Sequence, residues 1–198
     1  MEKTKALQAW YRVHRRRLPW RVDWEDTQKG VCPDPYRVWV SEMMLQQTTV
    51  ATVEERYDDF LKRFPDVLAL ASASEADILS VWAGLGYYSR ARNLHKAARI
   101  VSQNGFLQTQ KEWLKLPGIG AYASAAIASI AFDEPCAVVD GNVERILSRV
   151  YGLSEPPKRI KKEILFLAQE WTPEHNAGHH AQAMMDLGAL ICRPKKPK

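Results

Sequence analysis

The chain has 198 residues, 46% of them apolar, enough for one sizeable core or two small ones sharing an interface. Its 28 Lys and Arg outnumber 23 Asp and Glu, and the net charge of +5 suits an acidic partner such as nucleic acid without requiring one. No window approaches the ~20 apolar residues of a membrane span, the opening MEKTKALQAW is not a secretory leader, and three scattered cysteines speak against a disulfide framework; an intracellular protein with reduced thiols is expected.

Taken in chain order, the elements predict an all-α protein. The basic run His14, Arg15, Arg16, Arg17 reads as a solvated face or a phosphate contact. VDWEDTQKGVCPDP, with Gly30, Pro33 and Pro35, predicts a loop. Apolar residues then recur three and four apart: Val38, Val40, Met44, Leu45; Val53, Tyr57, Phe60, Leu61, Phe64; Ile78, Leu79, Val81, Trp82. Ser74 followed by Asp77 has the form of a helix-start cap, and Pro65, Gly105 and Pro117 mark breaks. Further helices are predicted over 94–103, 110–116, 122–132, 142–151, 161–171 and 181–192, and RPKKPK reads as a solvated tail. No stretch alternates long enough to argue for a sheet.

Residues 116–120, LPGIG, separate a helix ending at Leu116 from a second one of small residues, AYASAAIASIAF, giving a helix-hairpin-helix. Gly118 and Gly120 would let another backbone come close, and the first N–H groups of the second helix would meet an anion such as a DNA phosphate. A plain helix-ending turn, with alanines that serve only helix packing, explains the turn alone equally well. Two carboxylates stand out. Glu42 lies between Val40 and Met43, Met44, Leu45, where burial would favour its protonated form; Asp140 follows AVV and precedes Gly141. Read singly, Glu42 is a surface helix residue and Asp140 an N-cap. His175, His179 and His180 have partial zinc-site spacing, but no carboxylate or cysteine lies at a convincing ligand spacing beside them, so exposed or capping histidines are expected.

The stretches PYRVWVSEMMLQQTTVATV, WAGLGYYSRARNLHKAA, LPGIGAYASAAIASIAF, AVVDGNVERILSRVYG and AQAMMDLGALIC, in this order, resemble the adenine DNA glycosylases of the MutY type from about Trp10 to the last helix. The resemblance implies two interleaved helical subdomains, residues 28–132 and residues 1–27 plus 133–198, with DNA entering between them. It implies that Glu42 protonates the departing adenine and that Asp140 stabilises the sugar cation. Relatives that also cut the strand carry a lysine two residues after the last hairpin glycine, because an amine is needed for a Schiff base. Here that residue is Tyr122, which implies a monofunctional enzyme and, in some relatives, assists at the active site. Gln46, Gln47 and Tyr87 are implied as wedges in the duplex, and Gln182, Arg21 and Asn142 as substrate contacts. From their charge alone Arg90 and Arg92, like the basic run at His14 to Arg17, are candidates to track phosphates. Tyr88 is expected in the core.

The partner implied is double-stranded DNA with adenine opposite 8-oxoguanine or guanine, bound by a monomer in the cytoplasm, nucleoid, nucleus or mitochondrion. The resemblance also implies a [4Fe–4S] cluster and a monovalent cation at the hairpin carbonyls. Cys192 stands where the first cluster ligand is expected and the other three are missing, which points to a chain cut short within that motif and without a bound cluster. The rival readings are a mismatch thymine or uracil glycosylase and a non-catalytic DNA-binding module.

Overall fold

The computed structural model describes residues 2–198, and among them every regular element is a helix. In chain order these are α1 (Glu2–His14), α2 (Trp24–Gln28), α3 (Pro35–Leu45), α4 (Val50–Arg63), α5 (Val67–Ser72), α6 (Glu75–Val81) and α7 (Ser89–Asn104). They continue with α8 (Gln110–Trp113), α9 (Ala121–Phe132), α10 (Gly141–Val150), α11 (Lys161–Trp171) and α12 (Ala177–Leu190). Among the described residues no helix is long and apolar enough to cross a membrane.

Short polar residues start most of these helices. The side chains of Asp34, Thr49, Asp66 and Ser74 each accept from an N–H of the following first turn. Thr109 and Glu112 form a reciprocal capping box at α8. The expected Ser74 cap is present, with its hydroxyl 3.1 Å from the Asp77 N–H.

The chain divides into two compact units. Arg17–Ile127 carries α2 to α8 and the start of α9. Its core is aromatic: Trp39 meets Trp113 edge-on at 5.3 Å, Phe60 meets Trp82 at 5.9 Å, and Val53, Ile78 and Leu94 are buried with them. Helix α7 packs on α3, α5 and α6. The other unit joins the residues up to Arg16 to Ala128–Lys198. Here α12 packs on α1 and α10 around Leu7, Tyr11, Val143, Ile146, Leu147, Ile164 and Met184.

Four expectations are corrected. The stretch predicted as loop contains α2, because Glu25 and Asp26 in the first turn suit the helix dipole before Gly30, at φ +85°, ends it. The helix predicted over 110–116 stops at Trp113, since the N–H groups of Lys115 and Leu116 turn back three residues, to Glu112 and Trp113. The last helix covers 177–190 instead of 181–192. Its start is fixed from outside, where the Asp133 carboxylate accepts from the N–H groups of Asn176 and Gly178 at 2.8 and 3.2 Å. Tyr88 is exposed, not core, because it opens α7 on the outer side of the GLGYY turn.

Candidate active site

In the Arg17–Ile127 unit, α3 carries Glu42 on a face that is buried throughout, and Glu42 itself is 4% exposed. That burial removes the reading of Glu42 as a surface glutamate. The helix ends at Leu45, Gln46 takes an extended conformation, and Gln47 stands exposed at φ +55°. Facing this turn is a second one, Gly84 to Tyr87, in which Tyr87 has φ +45° and is 61% exposed. Glycine accepts positive φ; glutamine and tyrosine do so at a cost, and such residues cluster where function over-determines the backbone.

Arg90 ties the two turns together. It is 7% exposed, and Nη1 donates to the carbonyls of Met43 and Met44 at 2.9 and 2.7 Å. Nη2 donates to Thr48 Oγ1 at 3.0 Å and to the Leu85 and Gly86 carbonyls at 2.8 and 3.2 Å. The expectation that Arg90 tracks phosphates is therefore corrected, since its donors point inward to neutral acceptors. Arg92 is engaged by Glu75 at 2.8 Å on the surface.

The hairpin lies in the same unit. Gly118 has φ +74°, and a Cβ there would come within 2.5 Å of Asn93 Cβ, so its glycine is required by the docking of the turn on α7. Gly120 differs: nothing lies within 4 Å of where its Cβ would stand. Its missing side chain leaves an open surface at the first turn of α9, where N–H groups lack intrahelical acceptors. Tyr122, half-buried, follows two residues later. Arg21, half-buried, closes a turn with its N–H on Leu18 O at 2.9 Å.

In the other unit Asp140 is the N-cap of α10, as its sequence context suggested. Oδ1 accepts from the N–H groups of Asn142 and Val143, both at 2.9 Å, and Oδ2 accepts from Asn142 Nδ2 at 2.7 Å. Arg145 Nη2 in turn donates to Asn142 Oδ1 and to Gly188 O, both at 2.8 Å, so the carboxylate is held on three sides and keeps its orientation. Gln182, 8% exposed, accepts from the Tyr11 hydroxyl at 3.1 Å. Arg16, read as part of a solvated run, instead binds Asp186 through Nε at 2.7 Å and through its N–H at 2.9 Å, and the Asp186 side chain is fully buried.

Several of these partners were invisible to motif reading. Thr48, Asn93 and Tyr11 act through contacts distant in sequence, and Arg145 joins its neighbour Asn142 to the distant Gly188 carbonyl. Asp186 alone left a signal, a carboxylate inside the apolar run AQAMMDLGALIC. His180 corrects the expectation of exposed histidines: it is buried, and desolvation lowers its pKa to about 4.

The sequence pattern of the HhH-GPD superfamily, base excision DNA repair proteins, matches residues 40–173. The chain belongs to that superfamily. An adenine DNA glycosylase of Buchnera aphidicola subsp. Schizaphis graminum is 41% identical over 201 residues, covering 98% of this chain and 55% of that protein. The human adenine DNA glycosylase is 43% identical over 198 residues, 97% of this chain and 36% of the human protein. The chain thus spans about half or less of the length of these relatives. Among solved structures, a thermostable thymine-DNA glycosylase aligns with TM-score 0.83 at 26% identity, over 100% of this chain and 89% of that one. An endonuclease III from a non-covalent DNA complex shares the fold, with TM-score 0.75 at 18% identity over 100% of this chain and 87% of its own.

Among the described residues the three cysteines are not gathered as ligands of the [4Fe–4S] cluster that the MutY resemblance implies. Four thiolates are needed. Cys192 Sγ lies 3.2 Å from Arg149 Nη1, Cys32 is exposed, and burial pushes the Cys136 thiol up to about 12. Among the described residues no three His, Cys, Asp or Glu side chains are grouped to hold a metal.

Proposed function

We propose that this HhH-GPD chain removes adenine mispaired with 8-oxoguanine or guanine in duplex DNA, hydrolysing the N-glycosidic bond and leaving an abasic site. The observation that carries this reading is the burial of Glu42 within SEMMLQQT, in a chain about 40% identical to adenine DNA glycosylases over nearly its whole length. Desolvation favours the neutral form of a carboxyl group, and a neutral acid is what a departing purine needs. Glu42 gives its proton to the adenine ring, and the C1′–N9 bonding pair leaves with the base. The sugar becomes an oxocarbenium-like cation, for which the fixed Asp140 carboxylate supplies the opposite charge. Water then adds at C1′ and its released proton restores the Glu42 acid.

Gln47 and Tyr87 fill the gap left by the extruded nucleotide, Gln46 flanks them, and Gly118 and Gly120 seat a phosphate of the backbone. Gln182, Arg21 and Asn142 contact the base and sugar. Tyr122 supplies no amine, so strand cleavage through a Schiff base is not expected.

The test is single-turnover incubation with duplexes holding A opposite 8-oxoguanine, A opposite G, or T opposite G, followed by alkali. Cleavage at A is expected. Cleavage at T alone would instead assign the specificity of the structurally similar thymine-DNA glycosylase. Binding to all three without cleavage would leave only a DNA-binding module. Glu42→Gln is expected to lower base release by at least about 100-fold, the lower range for loss of a general acid, with DNA affinity nearly unchanged. Full activity of that variant would show the acid to be misassigned.

A further inference from the structure

We propose that Arg90 is a positioning residue: one buried guanidinium locks the Gln46–Thr48 turn, the Leu85–Tyr87 turn and the end of the Glu42 helix into a single preformed wedge. This inference rests on the adenine-glycosylase reading and assigns to Arg90 a role within it.

Three observations carry it. The first is where the hydrogen bonds fall. Leu85 and Gly86, whose carbonyls take Nη2, immediately precede Tyr87; Thr48, whose hydroxyl also takes Nη2, immediately follows Gln47. Thr48 Oγ1 also lies 3.3 Å from Leu85 O, so the two turns are cross-linked through the same group. The second is strain. Gln47 and Tyr87 both occupy the left-handed region, at φ +55° and +45°, which non-glycine residues seldom adopt and keep only when held by their surroundings. Arg90 supplies acceptor-specific contacts one or two residues from each. The third is the remaining arm. Nη1 grips the carbonyls of Met43 and Met44, directly after Glu42, where a cation also suits the negative end of the helix dipole.

Both exposed side chains are therefore offered in position before DNA arrives, and the acid belongs to the same rigid body. Preorganisation of this kind removes the ordering cost that would otherwise be met on binding. A lysine cannot replace it, because an ammonium has three donors on a single nitrogen and no planar fork to reach both turns and the helix end at once.

The test uses the full chain and a duplex with A opposite 8-oxoguanine and 2-aminopurine next to that A. Anisotropy gives affinity, 2-aminopurine emission at saturation reports unstacking, and single turnover gives base release. With Arg90→Lys we expect DNA binding within about threefold of the unsubstituted chain, little rise in emission, and base release slower by roughly 10- to 100-fold, the range for misplaced reacting groups. Weaker binding with full emission and full release at saturation would overturn the proposal in favour of a phosphate contact, and no change in any readout would overturn it outright. Should Arg90→Lys fail to fold, Thr48→Val decides, since it removes one acceptor and leaves the guanidinium. Lowered emission and release in Thr48→Val support the lock; values equal to those of the unsubstituted chain reject it. An unsubstituted chain that binds but gives neither emission rise nor base release would reject the glycosylase reading, and this inference with it.

Discussion

At the scale of single residues, the candidate site is built from side chains whose orientation is fixed by a second side chain. Asp140 is fixed by Asn142, Asn142 by Arg145, and Gln182 by Tyr11. The Tyr11–Gln182 pair lends itself to an isolated test, because Tyr11→Phe deletes one hydroxyl and keeps the ring in a site that is 2% exposed. A buried hydrogen bond of this type is worth about 1 kcal/mol, so Tyr11→Phe is expected to slow adenine release about fivefold if Gln182 reads the base, with a melting shift of only a few degrees. Single-turnover rates on A opposite 8-oxoguanine check this. An unchanged rate would mean that Gln182 keeps its orientation without Tyr11. The partnership of Tyr11 with Gln182 was not legible in the sequence. Glu42, Asp140 and Tyr122 could be singled out because each lies inside a contiguous motif, whereas Tyr11 and Gln182 are 171 positions apart and meet only through the packing of α1 on α12.

At the scale of elements, the packing of the hairpin demands a glycine at 118 and leaves open space at 120. Gly118→Ala must adopt a left-handed φ and place a Cβ 2.5 Å from Asn93 Cβ, which cannot swing away because it is fixed to the α7 backbone. A loss of stability above about 1 kcal/mol is expected, seen as a lower melting temperature. Gly120→Ala meets neither obstacle, so its melting temperature should stay within a degree or two of the unsubstituted value. If a DNA phosphate approaches this turn, Gly120→Ala still weakens DNA binding, measured by anisotropy; unchanged affinity would free the hairpin of that role. The sequence showed that both residues are glycines in a turn, and only the structure separates their reasons. The same limit explains the helix boundaries. Ser74 and Asp77 stand three apart and could be read as a cap, but the start of α12 depends on Asp133, 43 positions before Asn176, and no local pattern announces that contact. Nor did periodicity explain why α9 is so poor in large side chains. Toward its end the helix lies against α12, where a Cβ on Gly178 would stand 2.5 Å from Ser129 O, so small residues there permit close approach of two backbones.

At the scale of the whole molecule, the balance of charge and burial sets how stability responds to pH. Most surface ion pairs, such as Lys62–Asp59 and Lys29–Asp26, are exposed and add little. His180 is different, being 4% exposed on α12 with its pKa lowered to about 4 by desolvation. In the unfolded chain an imidazole titrates near its ordinary ~6.5. Above that value both states are neutral and His180 opposes nothing. As pH falls from 6.5 toward 4 the unfolded state binds a proton that the folded state refuses, so stability drops with falling pH across this window and the loss is complete below it. The full difference corresponds to about 3 kcal/mol. His179, also lowered first by burial, acts in the same direction. Thermal melts at pH 7, 6, 5 and 4.5 should therefore show a progressive fall, and His180→Phe, whose ring carries no titrating group, should flatten the part of the slope that His180 contributes. If His180→Phe folds and melts with the unsubstituted pH dependence, the acid sensitivity lies elsewhere. The DNA affinity of that variant at pH 7 should be unchanged, because the imidazole is already neutral there and its removal alters no charge that a phosphate would meet.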